Sequence, residues 1–77
     1  MSLIIDVRSP EEFLASHKTD AVNIPINDIV EGNLGMLEDL PKDTEIQCYC
    51  VSGARSAMVK QILNSKGYMN ITNLGGI

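Results

Sequence analysis

The sequence predicts an α/β fold, a parallel sheet of about four strands flanked by helices, in a single domain spanning residues 1–77. Three observations carry that expectation. Short apolar runs (LIIDV, AVNIP, EIQCYC and NITNL) alternate with segments of helical periodicity. The first run, Leu3 to Val7, is apolar apart from Asp6, as a strand covered on both faces should be. A dense helix-start signal then follows it directly, so strand and helix alternate from the outset.

Each element has its own local reason. Ser9 is placed to cap a helix, Pro10 suits its first position and Glu12 stands where a capping-box partner belongs, which predicts a short helix over Pro10 to Ser16. Ala21 to Pro25 reads as a second strand, stopped by its proline. From Ile26 to Leu40 the apolar spacing is helical (Ile26, Ile29, Val30, Leu34, Leu37). Gly32 and Gly35 interrupt it, so two short helical turns are expected rather than one helix. Pro41 to Thr44 is a turn. Glu45 to Cys50 alternates Ile46, Cys48 and Cys50 against Gln47 and Tyr49, and makes the third strand. In the segment Ala54 to Lys66, Ala54, Met58 and Ile62 recur every four residues beside Ala57 and Leu63, and Gly67 provides the stop. Met58 and Ile62 are read as core-facing. Asn70 to Leu74 is the fourth strand, ended by Gly75 and Gly76.

Composition narrows the class. A chain of 77 residues has a small core, and with Phe13, Tyr49 and Tyr68 its only aromatics, aliphatic side chains must fill it. The net charge of −4 and the lack of a basic stripe exclude a nucleic-acid module. The same charge repels small anions, so an anionic substrate needs a local positive site. No apolar run reaches membrane-spanning length and no signal peptide is evident, so a cytoplasmic location is expected, or a periplasmic one if a leader was removed. Cys48 and Cys50 lie two positions apart on one strand, roughly 6.6 Å between Cα atoms, at the upper edge of disulfide geometry. Two reduced, buried cysteines are the plain reading, and it suits Cys48 better than Cys50.

Cys50 ends its strand at the sheet edge where open α/β folds bind ligands. A loop curling round its sulfur would present successive backbone N–H groups, and the helix start near Ala54 adds partial positive charge. Both favour a thiolate, which is a nucleophile. Gly53 allows the tight curl, and Arg55, five residues after Cys50, can hold a guanidinium over an anion. An inert buried cysteine that happens to precede a helix remains the alternative for this loop on its own.

The whole chain resembles the rhodanese family of sulfurtransferases. The stretch CVSGARS, Cys50 to Ser56, is similar to the family's active-site pattern of Cys, two residues, Gly, one residue, Arg and a small hydroxyl residue. DVRSPEEF (Asp6 to Phe13) resembles its Asp-Val-Arg signature, HKTDAVNIP (His17 to Pro25) its His and Asn-Ile-Pro stretch, and LGGI (Leu74 to Ile77) its terminal Gly-Gly. Within the family the layout is closest to the small phage-shock rhodaneses, a minimal form without the usual first strand and helix or the last helix. The resemblance implies the strand order 4-3-1-2. It also implies that Cys50 is a catalytic nucleophile cycling through a persulfide, taking sulfane sulfur from thiosulfate or a similar donor and passing it to cyanide or a thiol. Val51, Ser52, Gly53, Ala54 and Arg55 would then bind substrate, the N–H groups holding the persulfide sulfur and Arg55 orienting the donor. No cofactor or metal is called for. The partners implied are a small-molecule donor and acceptor, or a sulfur-accepting protein for which the chain is a persulfide carrier. A non-catalytic binding module is the third reading. Cysteine phosphatases of the same fold place Arg six residues after Cys, and the spacing of five here suits a sulfur atom better than a phosphate. Val51 stands where many rhodaneses carry a second cation, so thiosulfate should bind weakly or the donor should differ.

The remaining candidates have plainer roles. Asp6 and Arg8 are expected to serve structure, pairing with loop backbone and with Glu12, or else to brace the active loop from a neighbouring strand end. No catalytic role is expected for His17, since a thiolate held by N–H groups needs no base. Ser52 is read as the helix cap, and Ser56 as a second cap or a hydrogen bond to the donor. Cys48 is read as core, with a resolving thiol as the alternative.

Overall fold

The computed structural model describes residues 2–77. Its strands are β1 (Ser2–Asp6), β2 (Val22–Asn23), β3 (Glu45–Cys50) and β4 (Ile71–Gly76), and its helices α1 (Pro10–Ala15), α2 (Ile26–Val30) and α3 (Ala54–Ser65), with a 3-10 segment at Gly35–Asp39. All pairings are parallel, in the order β2-β1-β3-β4. From the other edge this is the expected 4-3-1-2. The two central strands therefore bury their side chains on both faces, and Ile5, Ile46, Cys48, Tyr49 and Cys50 have no exposed surface.

Local signals set the boundaries closely. Ser9 Oγ accepts Glu12 N–H at 3.2 Å while Ser9 N–H donates to Glu12 Oε1 at 3.0 Å, the reciprocal box that starts α1. The interrupted segment forms α2 and the 3-10 turn, as its glycines require. Gly67, at φ 100°, ends the region after α3. β4 runs on through Gly75 and Gly76, beyond the expected stop at Leu74. A bulge opposite Cys48 and Tyr49, with Gly75 at φ 87°, lets it keep pairing.

The buried face of α3 differs from expectation. Ser56, Val59 and Leu63 face the sheet, whereas Met58 is 52% exposed and Ile62 only partly buried. Both stripes have helical spacing, so periodicity alone does not separate them. The rotation is set at the first turn, where Ser56 is drawn inward: its carbonyl accepts the Cys48 thiol at 3.5 Å and its hydroxyl reaches Asn73 at 2.6 Å.

The expected Arg8–Glu12 pairing does not form. Asp6, fully buried, accepts from Arg8 N, Nε and Nη2 at 2.7–3.1 Å and from the Tyr49 hydroxyl at 2.8 Å. Arg8 Nη2 also donates to Ser16 O, and Lys18 N–H donates to the Tyr49 oxygen at 2.9 Å. One carboxylate thus ties together β1, β3 and the turn after α1. Burial pushes the Asp6 carboxyl up, but its bonds from Arg8 and Tyr49 hold it below the usual carboxylate range. Glu12 does not receive Arg8 because that guanidinium is already held side-on by Asp6, two residues away.

Candidate active site

β3 delivers Cys50 to the C-terminal edge of the sheet, paired with Gly76 of β4. The chain then turns back through Val51 and Ser52 into Gly53, which is the N-cap of α3 at φ 93°. Ser52 is not the cap; its exposed hydroxyl accepts Ala54 N–H at 3.4 Å. Glycine is required at 53 for its left-handed backbone and because an added Cβ would sit 3.2 Å from Gly75 Cα. Gly76 is constrained more severely, since any Cβ there would collide with Val51 O. The terminal Gly-Gly is therefore the wall against which the loop is moulded.

The loop converges on sulfur. Gly53 N–H donates to Cys50 Sγ at 3.0 Å, and Ser56 Oγ lies 3.6 Å from it. Burial works against ionisation of Cys50, yet the N–H and hydroxyl of Ser56 together with the Gly53 and Ser52 N–H groups outweigh it and bring the thiol down to about 7. Cys48 is affected in the opposite sense. Burial pushes its thiol up to about 11, and it donates to the carbonyls of Ser56 and Thr72. Two cysteines of one strand are thus separated chemically by the N–H groups that only the second receives.

Arg55 projects from the first turn of α3 but is already engaged. Its Nη1 and Nη2 meet Glu12 Oε1 and Oε2 at 2.8 and 3.1 Å, a bidentate pair about one-third exposed. The Arg55 bonds and the Ser9 N–H lower the Glu12 carboxyl to about 2, so the pair is ionised at every physiological pH. The spacing did not reveal this partnership, since Glu12 was already assigned as a capping residue and as a partner of Arg8. It also missed Asn73, whose amide donates to Gly53 O at 3.2 Å and accepts from Ser56 and Gly75. Its position just before Leu-Gly-Gly was the available signal. Asp6 and Arg8 buttress the neighbouring strand end without touching the sulfur. His17 is exposed and stacks on Phe13 at 3.7 Å, apart from the site. Among the described residues no cluster of His, Cys, Asp and Glu could hold a metal ion, and no helix is long and apolar enough to cross a membrane.

Comparison with known proteins places the chain in a family. The family described as the rhodanese-like domain matches residues 1–77. The thiosulfate sulfurtransferase PspE of Escherichia coli is 36% identical over 73 residues, covering 95% of this chain and 68% of its own length. A sulfurtransferase of Allochromatium vinosum is 34% identical over 74 residues, covering 96% of this chain and 65% of that protein. The chain thus spans about two thirds of these two curated relatives. Among solved structures, a rhodanese from E. coli described as holding anions superposes with a TM-score of 0.85 at 33% identity, over 99% of this chain and 87% of that one. By family match, sequence identity and parallel-sheet topology together, the chain belongs to the rhodanese-like family.

Proposed function

We propose that the protein is a sulfurtransferase whose nucleophile is Cys50. The observation that carries this reading is the Gly53 N–H at 3.0 Å from a sulfur that Ser56 and the loop hold at a midpoint of about 7. The lowered midpoint makes the thiolate accessible at neutral pH without a general base. The thiolate attacks the sulfane sulfur of a donor such as thiosulfate. The Sγ–S bond forms, the donor S–S bond breaks, and sulfite leaves with its electron pair. Cyanide or a thiolate then attacks the terminal sulfur of the persulfide and regenerates the Cys50 thiolate. Cys50 has no exposed surface, while Val51 and Ser52 next to it are exposed.

Incubation with thiosulfate followed by mass measurement tests the first step, and thiocyanate release on adding cyanide tests the second. A gain of one sulfur that cyanide discharges is the expected result. No adduct with any sulfane donor would remove the reading altogether. Uptake should also rise with pH through about 7 and then level off, following the thiolate. Because the folded midpoint is lowered from 9.0, the unfolded chain binds the extra proton between the two values, and stability grows with pH across that window. The gain is about 2 kcal/mol between pH 7 and 9, lost again as pH falls towards 7, and absent in Cys50→Ser. Urea unfolding at both pH values measures it.

A second reading, a persulfide carrier serving a protein or thiol partner, is favoured by the electrostatics. Val51 is 51% exposed beside the loop, and the Arg55 charge is matched by Glu12. A donor of low charge fits that surface better than the thiosulfate dianion. Glu12→Gln keeps the cap but removes the matching charge from the guanidinium, and should lower the KM for thiosulfate about three- to tenfold. Arg55→Ala should raise it. Equal KM values in both variants would show that Arg55 does not meet the donor.

A further inference from the structure

The scheme above leaves three polar groupings unexplained: the buried Asp6–Tyr49 cluster, the buried Cys48 thiol, and the pair that the half-buried Asn73 makes with Ser56 behind Cys50. Only the last touches the reacting sulfur. Asn73 lies on β4 opposite Cys48, and two backbone groups fix its amide. Oδ1 accepts Gly75 N–H at 2.9 Å and Nδ2 donates to Gly53 O at 3.2 Å. A flipped amide would set donor against donor and acceptor against acceptor. Oδ1 therefore faces Ser56 Oγ at 2.6 Å, and only the serine can supply the proton of that bond. Ser56 has no exposed surface, and its oxygen also lies 3.1 Å from Gly53 O and 3.6 Å from Cys50 Sγ. A hydroxyl has a single proton and cannot give it to Asn73 and to sulfur at once.

The geometry points to Asn73 as a positioning residue that competes with Cys50 for the Ser56 hydroxyl proton. While the proton lies on Asn73 Oδ1, Ser56 can only accept at Sγ, which suits the S–H of a thiol. When the thiol loses its proton to solvent, the Ser56 hydroxyl turns to donate to the sulfur, and Oδ1 keeps the Gly75 N–H alone. Asn73 thereby satisfies the buried serine beside a neutral sulfur and releases it to a charged one. Asn73 thus holds the resting thiol against ionisation, and the Ser56 bond to the anion appears only as charge develops.

This role rests on Cys50 being the reactive sulfur, but its test needs no donor: the ultraviolet absorbance of the thiolate is followed against pH. The charged and titratable groups that sense Cys50 are Arg55 of α3, held by Glu12 of α1, and Cys48 of β3 with Lys60 of α3 behind it. None of them is altered in the variants, and Cys48 ionises far higher, at about 11. Asn73→Ala should lower the Cys50 midpoint by about half a unit to one unit, because only the longer bond to Gly53 O, at 3.1 Å, then competes with the anion for the Ser56 proton. Ser56→Ala should raise it. In the Ser56→Ala background, Asn73→Ala should leave the midpoint unmoved. An amide that merely braced the loop would raise the midpoint when removed, with or without Ser56. A rise or no change in Asn73→Ala, or the same shift in both backgrounds, overturns the proposal. Asn73→Leu fills the same volume without the amide and gives the same reading should the alanine variant not fold. In the unaltered protein the Gly75 amide resonance should titrate with an inflection at the Cys50 midpoint, and a flat response there overturns the proposal equally. Failure to take up sulfur would sink the sulfurtransferase reading, while these titrations decide the role of Asn73 separately.

Discussion

Replacing Cys50 with serine should abolish sulfur uptake, lowering the rate from any sulfane donor by on the order of 10⁴-fold or more, the scale of losing a covalent nucleophile. A serine oxygen in the same cradle stays protonated at neutral pH and forms no persulfide. The N–H groups that lower the thiol to about 7 cannot bring a hydroxyl into that range. The fold should survive, since the two side chains are close in volume and the serine oxygen inherits the Gly53 N–H. Mass measurement after donor treatment is the check. A sulfur adduct persisting in Cys50→Ser would place it on Cys48. That outcome opposes the geometry, because Cys48 is a buried thiol raised to about 11 and bonded to two carbonyls.

The largest effect on stability is expected at Asp6. Its carboxylate is fully buried and receives the Arg8 guanidinium, the Arg8 N–H and the Tyr49 hydroxyl. Asp6→Ala leaves Arg8, itself 5% exposed, as a buried charge with only the Ser16 carbonyl to meet it, and strands the Tyr49 hydroxyl proton as well. Breaking such a pair costs about 3–5 kcal/mol. A domain of this size has only about 4–12 kcal/mol in total at 0.05–0.15 kcal/mol per residue. The Tm should therefore fall by more than about 12 °C, and much of the protein should be unfolded at body temperature. Thermal unfolding followed by circular dichroism measures this. Replacing Asp6 and Arg8 together by apolar residues should recover much of the loss, because the desolvation penalty then disappears with the charge. An unchanged Tm in the single variant would refute the structural role given to the carboxylate.

Much of the site was legible because it depends on short-range rules. The turn from strand to helix, the glycine that permits it and the arginine one turn later all fall between Cys50 and Ser56, where sequence spacing maps directly onto space. The Ser9–Glu12 box is equally local and formed as expected. What the spacing could not convey were contacts between distant segments. Glu12 and Arg55 are 43 positions apart, and their pairing changes Arg55 from a free cation into a neutralised one. Asn73 reads as an ordinary strand residue until β4 sets it beside Ser56, 17 positions earlier.

The sequence by itself determined the strand and helix alternation, the α/β fold and the family resemblance. Apolar periodicity, capping chemistry and loop length are properties of neighbours along the chain, and they suffice for those conclusions. Only the tertiary structure decided which face of α3 is buried, which acid holds Arg55, and which amide accepts the Ser56 hydroxyl. Each of those depends on how β4 and α1 pack beside the loop. One helix rotation or one donor's single proton settles them, and neither is written in the spacing of residues.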